Sequence, residues 1–218
     1  MYRTPAINSV TRPKYPYGLV PAQLTWLCNA IDATRQADGG SEPGCIVEIG
    51  VAQGKSTVFL LEHMRDMGDT RPYYCVDTFS GFVDEHVEHE VNAREKKRAA
   101  FSAFSYNDEE IFKKNIEANG FSNMHTLAGD AVKVDWSSLP PIDVMLLDVD
   151  LYIPTLQILN NSRPFWSANA HILLDDVKPG GNWDGAEQAY REFTEANDLP
   201  YVKVGSKGGS IIQGGKQA

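Results

Sequence analysis

The sequence predicts an α/β sandwich: a mostly parallel, seven-stranded sheet with an antiparallel strand at its carboxyl end and helices on both faces. Three observations predict it. Short apolar runs alternate with longer stretches of helical periodicity. The short runs are almost wholly apolar, as strands buried on both faces must be. The last segment, LPYVKVGSKGGSII, reads as two strands around a Gly-rich turn, which makes a closing hairpin.

Taken in order, residues 1–20 are rich in Pro, Tyr and Arg, lack periodicity and read as an arm. Pro21 opens a helix in which Leu24, Leu27, Cys28 and Ile31 recur at helical spacing. A Gly-rich loop at 37–44 leads to CIVEIG (45–50), a buried strand, and STVFLLEHMRDMG is the following helix. PYYCVDTF (72–79) is the second strand. Residues 80–106 are the one large insertion and read as a lid, with a mixed-charge helical stretch at 84–98. A helix at 107–120 takes Asn107 as its cap and stops at Gly120. Strands MHTLAGD, IDVMLLDVD and AHILLDDV follow, the last two each leading into a helix, at 152–166 and 183–197. No repeat or linker divides the chain, so residues 1–218 read as a single domain.

The 29 acidic and 20 basic side chains give a net charge of -9. That balance argues against nucleic-acid and anionic-membrane partners, both of which reward clustered Lys and Arg. It suits a cationic ligand or a metal, and leaves a homo-oligomer open. Cys28, Cys45 and Cys75 have no pairing pattern and read as core thiols in a reducing compartment. No apolar block of a signal peptide or membrane span is present, and the expected location is cytoplasmic.

In an open parallel sheet, ligands bind beyond the carboxyl ends of the strands. The strands deliver Glu48, Asp77, Asp130, Asp148, Asp150, Asp175 and Asp176 to that edge. Seven carboxylates on one rim repel one another unless they share a cation. Gly50 and Gly54 shape the loop between the first strand and its helix. A P-loop needs four residues between its glycines, and here there are three.

E-x-G-x-x-x-G at the first strand, with an acid ending the second, resembles the signature of class I S-adenosylmethionine-dependent methyltransferases, whose fold is Rossmann-like. The resemblance implies that Glu48, Gly50 and Gly54 form the cofactor loop and that Asp77 binds the ribose. Ser56 and Thr57 would reach the cofactor carboxylate, with Asp130 and Ala131 on the adenine side. Asp148 with the pair Asp175 and Asp176 is similar to the acidic set of metal-dependent O-methyltransferases. The catechol group of these enzymes carries a Lys soon after the first acid, and this sequence does not. D-x-D-x-Y-x-x-T, here Asp148, Asp150, Tyr152 and Thr155, more closely resembles the macrocin O-methyltransferase (TylF-like) family, over residues 40–213. That family methylates sugar hydroxyls of natural products. The resemblance implies Mg²⁺, or another divalent cation, at Asp148, Asp175 and Asp176, and Asp150 as general base. His86 and His89, an HxxH in the insertion, are candidates for a metal site or a base over the acceptor, with a solvated helix face as the commoner reading; Trp183 is a candidate for either the acceptor site or the core.

Overall fold

The computed structural model describes residues 15–37 and 44–214. Most of the expected arm, residues 1–14, and most of the loop at 37–44 lie outside the described residues. The element order is α1 (Pro21–Ala37), β1 (Cys45–Ile49), α2 (Lys55–Asp66), β2 (Tyr73–Asp77), α3 (Asp84–Asn92), α4 (Glu109–Ala118), β3 (Met124–Ala128), β4 (Ile142–Leu147), α5 (Tyr152–Ser162), β5 (Trp166–Leu174), α6 (Gly185–Ala196), β6 (Val202–Val204) and β7 (Gly208–Ile212).

The seven strands form one sheet in the order β3-β2-β1-β4-β5-β7-β6. Only β7 runs antiparallel to β5, with β6 antiparallel to β7. The α/β sandwich read from the sequence is the observed architecture. Strand alternation divides the core in two. Ile46, Val144, Leu146 and Leu173 pack beneath α1, α2 and α4. Val47, Met145, Ile172 and Leu174 point the other way, towards α5 and α6, where Ile158, Tyr190 and Phe193 cover them.

Three local details differ from the sequence reading. The cap of α4 is Asp108, whose carboxylate accepts from the Ile111 amide at 2.9 Å, and not Asn107. An ionised oxygen is the stronger acceptor at a helix amino terminus. The helix at 152–166 stops at Ser162, and β5 begins at Trp166, ahead of the apolar run that marked it. The helical stretch at 84–98 ends at Asn92 and resumes only as a single 3-10 turn at Arg98–Phe101.

The strand order reverses between β1 and β4. β1 pairs with β2 on one side and β4 on the other, with Ile49 facing Val76 and Leu147. Connections that leave two adjacent parallel strands in opposite directions open a crevice at the strands' carboxyl ends. The opposite edge is closed by Arg71, which donates to Asp69, Asp143, Thr34 and the Ile31 carbonyl, all buried. Removing one member of a buried ionic network strands its partners. Arg71→Leu is therefore expected to cost about 3–5 kcal/mol, read as a lowered urea midpoint at unchanged slope. A loss below about 1 kcal/mol would mean that Asp69 and Asp143 do not depend on it.

Candidate active site

The cavity at the switch point is floored by strand ends and walled by the insertion. Gly50 and Ala52 follow β1, Asp77 and Thr78 end β2, and Asp130 and Ala131 follow β3. Asp148 and Asp150 follow β4. Phe82, Val83, His86 and Phe104 come down from the insertion, so the segment read as a lid does line the cavity.

Gly50 is required where it stands. Its φ is +86°, and a Cβ would fall 1.8 Å from the Asp148 carbonyl oxygen. The close approach of β1 and β4 loops depends on that missing atom. Asp77 receives the Ala52 amide at 3.0 Å and the Phe79 amide at 2.7 Å, which folds the glycine loop against the end of β2. Ala52, Phe79, Asp150 and Asp176 all have positive φ without being glycine. Such conformations cost about 1–3 kcal/mol each and collect where the surroundings hold a functional loop in place.

Glu48, Gly54, Ser56 and Thr57 lie behind the cavity wall. Glu48 is fully buried and accepts from Ser56 at 2.5 Å, Thr57 at 2.7 Å and Tyr73 at 2.7 Å. Burial pushes its carboxyl above the usual range, with the three hydroxyls opposing. These hydroxyls pin α2 to β1 in this structure. Gly54 is bare because Ile116 and Phe112 of α4 press against it, at 2.8 and 3.0 Å from where a Cβ would sit.

The aspartates meet at the adjoining ends of β4 and β5, where Leu147 faces Leu174. Asp148 keeps some access to the cavity but is densely surrounded. Burial first, then Asp175 and Asp150, push its carboxyl well above the ordinary carboxylate range. Asp150 is raised in the same way, by burial and by a hydrogen bond with Asp176. Asp176 is held low: burial works against its charge, but the bond from Asp150 and the ammoniums of Lys207 and Lys178 outweigh it. Asp175 is buried and doubly engaged, by Gln23 at 2.8 Å and by Lys207 at 2.5 Å. Among the described residues no three acids or imidazoles converge as a metal-holding group. Lys207 and Gln23 occupy the two oxygens of Asp175 instead.

Lys207 was not among the residues singled out from the sequence. It sits in the β6–β7 turn, and only its place in a Gly-rich hairpin beside β5 could have signalled it. His86 is the clear correction. It is 8% exposed, lines the cavity and lies 3.8 Å from Asp130, so it is not on a solvated face. The inward side of α3 is His86, Val87 and Glu90. Burial lowers the His86 pKa, against the pull of Asp130. His89 stacks on Tyr152, and Trp183 packs on Phe82 and Phe101. Tyr15 and Tyr17 pack together, with Tyr17 on Phe59 of α2, and neither lines the cavity.

The model of a methyltransferase domain family matches residues 47–177, more than half of the chain. The chain belongs to this methyltransferase family. A 4'-O-methyltransferase of Streptomyces olivaceus that acts on 8-demethyl-8-(2,3-dimethoxy-alpha-L-rhamnosyl)-tetracenomycin-C is 30% identical over 150 residues. The match takes in 64% of this chain and 54% of that protein, so the chain spans about half the length of this curated relative. The O-methyltransferase NovP shares the fold, with a TM-score of 0.73 at 18% identity over 88% of this chain and 79% of NovP. The calicheamicin methyltransferase CalS11 does so too, with a TM-score of 0.64 at 18% identity over 86% of this chain and 79% of its own.

The raised Asp148 carboxyl has a consequence for stability. A group whose folded pKa lies above its unfolded value is stabilising at low pH, and that contribution is lost as pH rises through the folded value. In chelator-treated protein, Asp148→Asn is expected to melt higher than the native chain at pH 7–8, the gap closing towards pH 4. Each kcal/mol relieved is worth roughly 2–4 °C at this size. A lower melting temperature for the variant at neutral pH would contradict the crowding described here.

Proposed function

We propose that this chain transfers the methyl group of S-adenosylmethionine to a hydroxyl of a small molecule, a sugar of a natural product, with Asp150 as general base. The observation that supports it best is that Asp148 and Asp150 line the same cavity as Gly50, Asp77 and Asp130, with Asp175 and Asp176 crowding them from beside it. In this reading Asp77, Asp130 and Ala131 would hold the nucleoside, and Asp150 would serve the methyl-transfer end of the same cavity. The relatives' O-methyl transfer, to a rhamnosyl group in the tetracenomycin case, supports a sugar hydroxyl as acceptor.

The donor set fits a divalent cation in its chemistry. The oxygens are hard, Asp148 is crowded enough to lose its ordinary acidity, and a dication relieves such crowding. Asp148, Asp175 and Asp176 would hold it, with Asp175 released from Lys207. Bound there, it supplies positive charge that ionises the rim and acidifies an acceptor hydroxyl.

The chain's own residues do the rest. Asp77 orients the cofactor by accepting from its ribose hydroxyls. Asp150, fixed in a left-handed turn, takes the acceptor proton as the oxygen bonds to the methyl carbon. The C–S bond breaks with its electrons left on sulfur, giving S-adenosylhomocysteine and the methyl ether. Phe82, Phe104 and Val83 exclude water from the reacting atoms. A base with a high intrinsic pKa is the stronger one once ionised.

A second reading is favoured by one observation, the contact of Lys207 with Asp175 and Asp176. An ammonium already supplies part of the charge the rim needs, so methyl transfer could proceed without a metal.

Asp150→Asn is expected to bind S-adenosylhomocysteine within about threefold of the native chain while kcat falls about 100-fold or more. A native rate in the variant would remove Asp150 as base. Activity should vanish after exhaustive chelation and return with Mg²⁺, assayed over glycosylated and phenolic acceptors. Full activity in the chelated protein would support the second reading instead.

A further inference from the structure

Glu90 of α3 is fully buried, although it is neither at the carboxylate rim nor in the cavity lining. One carboxylate oxygen accepts from the Tyr152 amide at 2.7 Å, the first amide of α5. The other accepts from Arg94 Nε at 2.7 Å. Arg94 continues to Asp184 at 2.5 Å, and also donates to Gln188. Lys96 holds the same Asp184 at 2.8 Å and the Gly181 carbonyl at 2.8 Å.

The two segments gripped in this way follow β4 and β5 and carry Asp150 and Asp176. Tyr152 is two residues beyond Asp150, with only the buried Leu151 between them. Asp150 itself has φ +61°, and its carbonyl accepts from Ala186 at 3.1 Å. The node is built around a missing side chain. A Cβ on Gly185 would sit 2.4 Å from the Tyr152 nitrogen and 2.8 Å from the Glu90 oxygen. A left-handed aspartate is kept by what surrounds it, and here a buried, charge-assisted hydrogen bond from the insertion grips the next turn of chain.

We infer that Glu90 is a positioning residue: through the Tyr152 amide it holds Asp150 at its place facing the cavity, an inference that rests on Asp150 being the base. The insertion then does more than cover the site. Its docking sets the geometry of the reacting carboxylate.

The test is a double-mutant cycle combined with amide hydrogen exchange. Glu90→Ala is expected to lower kcat about tenfold or more, with S-adenosylhomocysteine affinity within threefold. Glu90→Gln, whose amide oxygen still accepts from Tyr152, should keep at least a third of native kcat. In an Asp150→Asn background Glu90→Ala should cause no further loss, because the group it positions is already gone. Exchange over residues 150–156 should quicken about tenfold in Glu90→Ala while the central strands stay protected. Native kcat, an equal fractional loss in both backgrounds, or unchanged exchange in that segment would each overturn the inference. If Asp150→Asn alone turned over at the native rate, the base reading would fall, and the exchange would still decide whether Glu90 holds the turn. Should Glu90→Ala not fold, Tyr152→Pro deletes the donor at a helix position that tolerates proline, with Tyr152→Leu as the control for the lost phenol. The same kcat loss in Tyr152→Pro but not in Tyr152→Leu supports the inference; equal behaviour overturns it.

Discussion

Asp148, Asp150, Asp175 and Asp176 stand at two adjoining strand ends, and their mutual repulsion is the constraint around which this edge of the molecule is arranged. Each nearby feature answers it. Lys207 reaches across from the β6–β7 turn to Asp175 and Asp176. Gln23 adds a neutral donor to Asp175 from α1. Burial and the bond with Asp176 raise the Asp150 carboxyl, and Asp148 is driven towards its neutral form by burial and by its neighbours. A protein selected only for stability has no use for such a cluster. Like charges gathered beside a cavity are instead the arrangement from which acid–base and cation chemistry is built.

The two edges of the sheet divide the work. At the amino-terminal edge Arg71 bridges Asp69 and Asp143 inside a closed network of hydrogen bonds. At the carboxyl-terminal edge the charges stay unbalanced and the backbone stays strained, at Ala52, Phe79, Asp150 and Asp176. The insertion after β2 joins the strained edge from outside. Glu90 and Arg94 tie it to the loops after β4 and β5, and Phe82 packs against Trp183.

Much of this was legible in the sequence because strand ends are local. An acid that closes an apolar run has nowhere to be but the sheet rim, so Asp77, Asp148 and Asp175 could be placed without a structure. Gly50 was legible for a related reason, since a strand that turns sharply into a helix favours positive φ. What stayed hidden depends on residues distant in sequence. Lys207 meets Asp175 only because β7 pairs with β5, and no local pattern encodes that pairing. His86 looked solvated because its neighbours Glu85 and Glu88 are charged; only the docking of α3 turns it inward. Glu48, Ser56 and Thr57 belong to the motif, but their side chains face one another because Tyr73 stands beneath them on the next strand.

Crowded carboxylates make the rim a place where positive charge is wanted, and electron paramagnetic resonance of Mn²⁺ titrated into the native chain and into Asp148→Asn measures that most directly. One tightly held ion in the native chain, weakened at least tenfold in the variant, is the expected result. Equal binding by both, or none by either, would contradict it.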